Sequence, residues 1–243
     1  MGLKGKGIVV TRPASLAKGL ADQIEAAGGK AFLFPAIEIE PLTPAPPSAT
    51  PDLAVFISPT AVREGLKHLS ALPQAQRVRV VALSKGTRRE LERQGVAVAL
   101  SADEGADSEA LLALPELRQV AAQRVAIFRG EGGRSVLGDT LRSRGASVEY
   151  VECYRRVRPH SDPAPLVAAW RAGGVHAVTV SSAQGLGHLF EMLDAELLRG
   201  LPLFVPHARV ADEARRLGAR ETFVAGPGDD EMLGCLVAYF QVR

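Results

Sequence analysis

The sequence predicts an α/β protein built as two flavodoxin-like doubly wound parallel-sheet lobes. The second lobe is inserted in the first and joined to it by a two-stranded linker. Three observations carry this expectation. The chain repeats itself: Ile8-Val9-Val10-Thr11-Arg12-Pro13, with Gly28-Gly29 downstream, returns at equal spacing as Val125-Ala126-Ile127-Phe128-Arg129-Gly130 with Gly145-Ala146. A second unit, Ala54-Val55-Phe56-Ile57-Ser58-Pro59 with Gly95, returns as Val178-Thr179-Val180-Ser181-Ser182-Ala183 with Gly218. The order is thus A–B–A′–B′, and self-similarity on this scale constrains the fold before any single residue is weighed. Finally, short apolar runs alternate with amphipathic stretches, the pattern of parallel strands covered on both faces by helices.

Unit A opens with the apolar run 7–10 and breaks at Thr11-Arg12-Pro13. Leu16, Leu20 and Ile24 then recur at helical spacing, Gly28-Gly29 stops the helix, and 31–34 forms a second strand. Unit B predicts strands at 53–57, 78–83 and 96–100, with helices at 61–69 and 87–94. A last helix over 108–114 takes Asp107 or Ser108 as its cap. One A plus one B makes five parallel strands. Two assemblies satisfy that count: tandem domains, or A with B′ enclosing an inserted B–A′ lobe. The segments after each A unit favour insertion. Pro35-Ala36-Ile37-Glu38-Ile39-Glu40-Pro41 alternates at period two, and its counterpart from Val151 to Pro159 is extended and polar, so the two predict an antiparallel bridge that permits hinge motion. Lobe 1 is then 1–36 plus 160–243, lobe 2 is 44–150, and the linker is 37–43 with 151–159; proline-rich 43–51 reads as connecting chain.

Bulk properties narrow the function. A chain of 243 residues, 47% of them apolar, sustains packed cores. Its 29 basic and 27 acidic residues argue against a large nucleic-acid surface. No apolar run approaches the roughly 18–20 residues that span a bilayer, and the opening Met1-Gly2-Leu3-Lys4-Gly5-Lys6 lacks a signal-peptide stretch. Cys153 and Cys235 have neither metal-ligand spacing nor the numbers for a disulfide framework. The expectation is a cytoplasmic monomer with no nucleic-acid or membrane partner.

In doubly wound sheets ligands bind beyond the carboxyl ends of the strands. Those ends read Thr11-Arg12-Pro13, Ser58-Pro59-Thr60, Ser84-Lys85-Gly86-Thr87, Arg129-Gly130-Glu131-Gly132-Gly133-Arg134, Ser181-Ser182-Ala183 and Pro206-His207-Ala208-Arg209. Each opens a helix, where free N–H groups and a partial positive charge suit anions. Taken singly these residues are also good helix starters; the cations at several of the turns favour the anion reading for the set. The stretch from Gly130 to Ser135, with Glu149 and Glu152 downstream, resembles a dinucleotide fingerprint, but Ser135 stands where the third glycine belongs. No HExxH, GxSxG or GxxxxGK[ST] motif occurs. Asp229-Asp230-Glu231, and Asp103, Glu104 and Asp107, read as acids favoured at helix starts. Trp170 reads as core.

These residues resemble the uroporphyrinogen-III synthase family of tetrapyrrole biosynthesis along the whole chain. The resemblance rests on the order and spacing of Val10-Thr11-Arg12-Pro13, Pro35-Ala36-Ile37-Glu38-Ile39, Phe56-Ile57-Ser58-Pro59-Thr60-Ala61-Val62 and the 129–134 stretch. It continues through Val151-Glu152-Cys153-Tyr154-Arg155-Arg156, Ser181-Ser182-Ala183-Gln184-Gly185-Leu186 and His207-Ala208-Arg209-Val210-Ala211. Ile57 and Ser84 depart from the family's usual threonine and glycine.

The resemblance implies a bilobal enzyme that closes hydroxymethylbilane, a linear polycarboxylate tetrapyrrole, to uroporphyrinogen III in the cleft between lobes. Water is lost and ring D is inverted. It implies neither metal nor organic cofactor, and substrate handover from hydroxymethylbilane synthase. It makes Tyr154 the catalytic candidate as proton donor, though a tyrosine there also suits hinge packing. Substrate binding falls to Thr11, Arg12, Ser58, Pro59, Lys85, Gly86, Thr87, Arg129, Gly130, Gly133, Arg134, Ser182, Ala183, His207 and Arg209. A nearly neutral protein that holds a polyacid must rely on oriented N–H groups, hydroxyls and a few cations. Rival readings are a two-lobed small-molecule (anion) binding or sensor protein, and a nucleotide-dependent transferase using the 130–134 turn.

Overall fold

The computed structural model describes residues 2–102 and 108–242. The first A unit forms β1 (Gly7–Val10), α1 (Ala14–Ala26) and β2 (Lys30–Leu33), and β3 (Glu38–Pro41) follows. The first B unit forms β4 (Leu53–Phe56), α2 (Pro59–Ser70), β5 (Arg79–Ala82), α3 (Lys85–Arg93), β6 (Leu100–Ser101), α4 (Ser108–Leu112) and α5 (Pro115–Arg118). The second A unit gives β7 (Arg124–Gly130), α6 (Val136–Ser143) and β8 (Ser147–Val157). The second B unit gives α7 (Ala164–Arg171), β9 (Ala177–Thr179), α8 (Ala183–Met192), α9 (Ala195–Gly200), β10 (Leu203–Val205), α10 (Ala208–Arg216), β11 (Thr222–Val224) and α11 (Asp229–Gln241).

The strands form a five-stranded sheet, β2-β1-β9-β10-β11, and a six-stranded sheet, β3-β8-β7-β4-β5-β6. The first is parallel throughout, and the second is parallel from β8 to β6. The outer A therefore pairs with B′, and the inner B with A′. The chain divides into compact unit 1, Met1–Glu38 with Val157–Arg243, and unit 2, Ile39–Arg156. The division falls inside β3 and β8. Within segment 151–159, β8 runs on to Val157 as a sheet strand, with β3 hydrogen-bonded beside it. The 43–51 segment lies against unit 2: both the backbone N–H and the hydroxyl of Ser48 donate to the Glu149 carboxylate.

Period-two side-chain direction builds the cores. In β1, Val9 joins one buried cluster while Ile8 and Val10 join another. In β4, Ala54 and Phe56 face α2, while Leu53 and Val55 face the opposite layer with Leu137 and Leu141 of α6. Each sheet is thus covered on both faces, which is why inner strands β1 and β4 are wholly apolar.

The repeated glycines have one shared cause. Gly28 adopts φ +78° and Gly145 φ +87°, and each ends a helix in a Schellman motif. Gly28 N–H bonds Glu25 O and Gly29 N–H bonds Ile24 O; Gly145 and Ala146 do the same to Arg142 O and Leu141 O. Gly95 and Gly218 repeat the device at the ends of α3 and α10.

The strand expected at 96–100 is corrected by this motif. The Val96 N–H is spent on Leu91 O at the end of α3, so pairing with β5 begins with the Ala99 N–H to Val80 O bond and the strand is only Leu100–Ser101. Asp103, Glu104 and Asp107, with the cap expected at 107, lie outside the described residues. Asp229, Asp230 and Glu231 do open a helix: Glu231 accepts from the Gly228 N–H at 2.8 Å. Trp170 packs against the unit 1 core.

Candidate functional site

In unit 2 the carboxyl ends of β7, β4 and β5 are neighbours, so their turns share one sheet edge. Ser58 caps α2 in extended geometry, its Oγ accepting from the Ala61 N–H at 3.0 Å, with Pro59 as the first helical residue. Ser84 caps α3 alike, accepting from the Thr87 N–H at 3.3 Å and sharing a 3.0 Å bond with the Thr87 hydroxyl. Thr87 is fully buried, whereas Lys85 and Gly86 are exposed. Thr87 therefore shapes its turn, and Lys85 presents the charge.

Tyr154 is aimed by an irregularity in the sheet. β7 and β8 pair regularly until Arg129 faces Glu152; the register then shifts, and Gly130 faces Tyr154. The shift acts as a β-bulge, which re-aims side chains. Tyr150 packs on the face with Leu137 and Leu141, while Tyr154 joins Val151 and Cys153 on the opposite face. There Tyr154 is 1% exposed, and its Oη lies 3.2 Å from Ser58 Oγ and accepts from Arg156 Nη2 at 3.3 Å. A side chain at Gly130 would meet the phenol ring at 2.7 Å. Neighbouring Cys153 is no nucleophile: burial pushes its thiol up to about 11.

Arg129 is 7% exposed, yet it lines a cavity of about 490 Å³. Glu152 pairs with its Nη2 at 3.1 Å, Arg134 O accepts from Nη1 at 3.3 Å, and the guanidinium lies 4.2 Å from the Tyr150 ring centroid. Its buried Nε has no partner among the described residues. Gly133 lies beside it, in van der Waals reach of the guanidinium. Arg134 and Arg156 add charge to the cavity wall, and Ile57, Leu83, Ile127 and Leu137 supply apolar surface. Such a wall accepts a flat apolar ring bearing carboxylates.

This geometry also corrects the nucleotide reading. Gly130 faces the phenol, Glu149 is held by Ser48, and Glu152 is held by Arg129, so neither acid is positioned for a ribose.

Unit 1 repeats the plan with other chemistry. Ser182 caps α8 in the same extended geometry as Ser58, accepts from the Gly185 N–H at 3.1 Å, and is followed by Ala183. His207 caps α10 in extended geometry with its side chain exposed, as is Arg209. Thr11 turns inward: it is 1% exposed and its hydroxyl donates to Thr179 O at 2.7 Å. Arg12 is ion-paired with Asp229 and donates to Pro227 O at 3.3 Å, so it ties the β1 turn to the start of α11. The turns of β1, β9 and β10 lie side by side on one edge.

Two residues of this site were not singled out in sequence: Tyr150 and Arg156. Arg156 lay inside a stretch already singled out, but its link to Tyr154 depends on the bulge, for which the sequence carries no signal.

Paired parallel α/β units, strand-end turns that offer hydroxyls, helix N-termini and arginines, and one buried phenol define an α/β enzyme for a polyanionic small molecule. Comparison with known proteins makes this specific. The family profile described as uroporphyrinogen-III synthase HemD matches residues 18–233. The uroporphyrinogen-III synthase of Escherichia coli K12 is 32% identical over 93% of this chain and 97% of its own. That of Salmonella typhimurium LT2 is 34% identical with the same coverage. In fold, the Helicobacter pylori enzyme superposes with a TM-score of 0.67 at 15% identity, covering 98% of this chain and all (100%) of that one. A mutant enzyme from the extreme thermophile Thermus thermophilus gives 0.60 at 18% identity, with the same coverage. The chain belongs to the uroporphyrinogen-III synthase family.

Proposed function

We propose that this chain closes hydroxymethylbilane to uroporphyrinogen III, with loss of water and inversion of ring D. Family membership supports the reaction. The observation that carries the chemistry is the Tyr154 phenol, turned by the bulge onto Ser58 and walled by Gly130. The terminal pyrrole readily expels its hydroxyl, giving an electrophilic azafulvene that closes unaided to the symmetric isomer. The protein's main task is therefore positioning, which a sparse catalytic inventory suits. Tyr154 protonates the departing hydroxyl. Arg129, Gly130, Gly133, Arg134, Ser58, Pro59, Lys85, Gly86 and Thr87 of unit 2 form the turns that take substrate carboxylates. Ser182, Ala183, His207 and Arg209 of unit 1 take others, with Thr11 and Arg12 shaping their turn.

We infer that the chain acts as a monomer and in the cytoplasm; its two free cysteines fit the reducing compartment. No helix among the described residues is long and apolar enough to cross a membrane. Handover from hydroxymethylbilane synthase fits a substrate that decays unaided to the wrong isomer. The test is incubation with fresh hydroxymethylbilane, oxidation, and chromatographic separation of type I and type III porphyrins. Type III is expected to dominate; type I alone, as without enzyme, would overturn the reading.

A further inference from the structure

We propose that Arg156 is a positioning residue for this reaction, holding the Tyr154 phenol ready to give up its proton; this rests on Tyr154 being the proton donor. The groups form a line. Arg156 Nη2 donates to Tyr154 Oη at 3.3 Å, Tyr154 Oη and Ser58 Oγ share a bond at 3.2 Å, and the Ala61 N–H donates to Ser58 Oγ at 3.0 Å. A guanidinium and a backbone amide can only donate. Both hydroxyl oxygens therefore already accept from an outer partner, and two hydroxyl protons remain for the single bond between them. With Ser58 as the donor in that shared bond, the phenol O–H has no acceptor within the line. It is the proton available to a leaving group.

The ring cannot swing away, because the Gly130 backbone lies against it where even a Cβ would come within 2.7 Å. The Arg156 guanidinium sits 5.6 Å from the ring centroid and also lines the cavity shared with Arg129 and Arg134. As the C–O bond of the hydroxymethyl group breaks, the phenol proton moves to the departing oxygen and completes water. A phenolate and a cationic methylene-pyrrole remain. The guanidinium stabilises that phenolate through a charge-assisted hydrogen bond. When the pyrrole carbon that has attacked the methylene and closed the ring later loses its proton, the phenolate recovers it, and no net proton is consumed.

The experiment compares kcat and KM for hydroxymethylbilane in the unmodified chain, Arg156→Gln, Arg156→Lys, Tyr154→Phe and the Arg156→Gln/Tyr154→Phe double variant. Thermal melting checks folding in each. Arg156→Gln is expected to lower kcat by roughly ten- to a hundredfold, the worth of one hydrogen bond to a charged group, and to change KM little. Arg156→Lys, which keeps a charged donor, restores most of the loss. The double variant is no slower than Tyr154→Phe alone, because the two act as a unit. A raised KM with kcat intact in Arg156→Gln would overturn the proposal, making Arg156 a carboxylate holder. Losses that multiply in the double variant would overturn it too, while leaving Tyr154 as donor. An unchanged kcat in Tyr154→Phe would overturn the donor assignment, and the role of Arg156 with it.

Discussion

Gly130 shows how one missing side chain makes room for a buried phenol. Its Cα faces the Tyr154 ring so closely that Gly130→Ala must displace the ring. We expect that variant to lose about 1–3 kcal/mol of stability, as overpacked sites do, and to lower kcat alongside it; thermal melting and a turnover assay read the two separately. Tyr154→Phe removes only the hydroxyl. It is expected to fold normally and to lower kcat by roughly 10²-fold or somewhat more, the worth of a general acid. Cys153 makes the opposite case. Its thiol is buried, donates to Arg129 O at 3.3 Å, and is pushed up to about 11. A thiol reagent at pH 8 should leave it unmodified in the native chain and react only after denaturation. Rapid native labelling would contradict that burial. Tyr154 was legible in the sequence through its neighbours, but its aim was not. Strict alternation puts it on the face of Tyr150 and Glu152, and a one-residue slip in pairing reverses that.

At the scale of elements, the repeated glycines were the most readable feature because their cause is local. A helix that ends in a left-handed residue needs glycine whatever packs around it. Gly28→Ala should destabilise by about 1–2 kcal/mol, the cost of that backbone region to an L-residue. Gly234 is the control. It lies inside α11 with nothing within 4 Å of an added Cβ, so Gly234→Ala should stabilise by about 0.5–1 kcal/mol. Denaturant melts of both variants check the contrast, and equal shifts of one sign would refute it. The strand at 96–100 was misjudged because its apolar alternation is genuine, while its first N–H belongs to the preceding helix cap. The ion pair of Arg12 is not legible in the sequence, because a turn arginine gives no hint of a partner as distant as Asp229.

At the scale of the whole molecule, each unit carries one histidine that burial makes harder to protonate: His176 in unit 1, with Lys6 adding repulsion, and His68 in unit 2, with Lys67 adding its own. His176 Nδ1 accepts from the Gly7 N–H at 3.0 Å, a bond that protonation breaks. The folded state binds these protons less readily than the unfolded chain. Their contribution is therefore fully present above the ordinary histidine value of 6.5 and is lost as pH falls below it through the lowered folded values. The melting temperature should drop on acidification from pH 7 to 5. His176→Asn, which keeps an acceptor without a titrating ring, should flatten that drop; an unchanged slope would exclude His176 as a source. By itself the sequence determined the duplicated α/β units, the strand-end turns and the family, because periodicity, helix caps and left-handed glycines are encoded within a few residues of one another. Only the tertiary structure decided which A pairs with which B, that Arg12 and Glu152 are already partnered, and that a bulge turns Tyr154 onto Ser58. Those outcomes depend on hydrogen bonds between residues far apart in the chain, where many pairings satisfy the same local pattern and packing selects one.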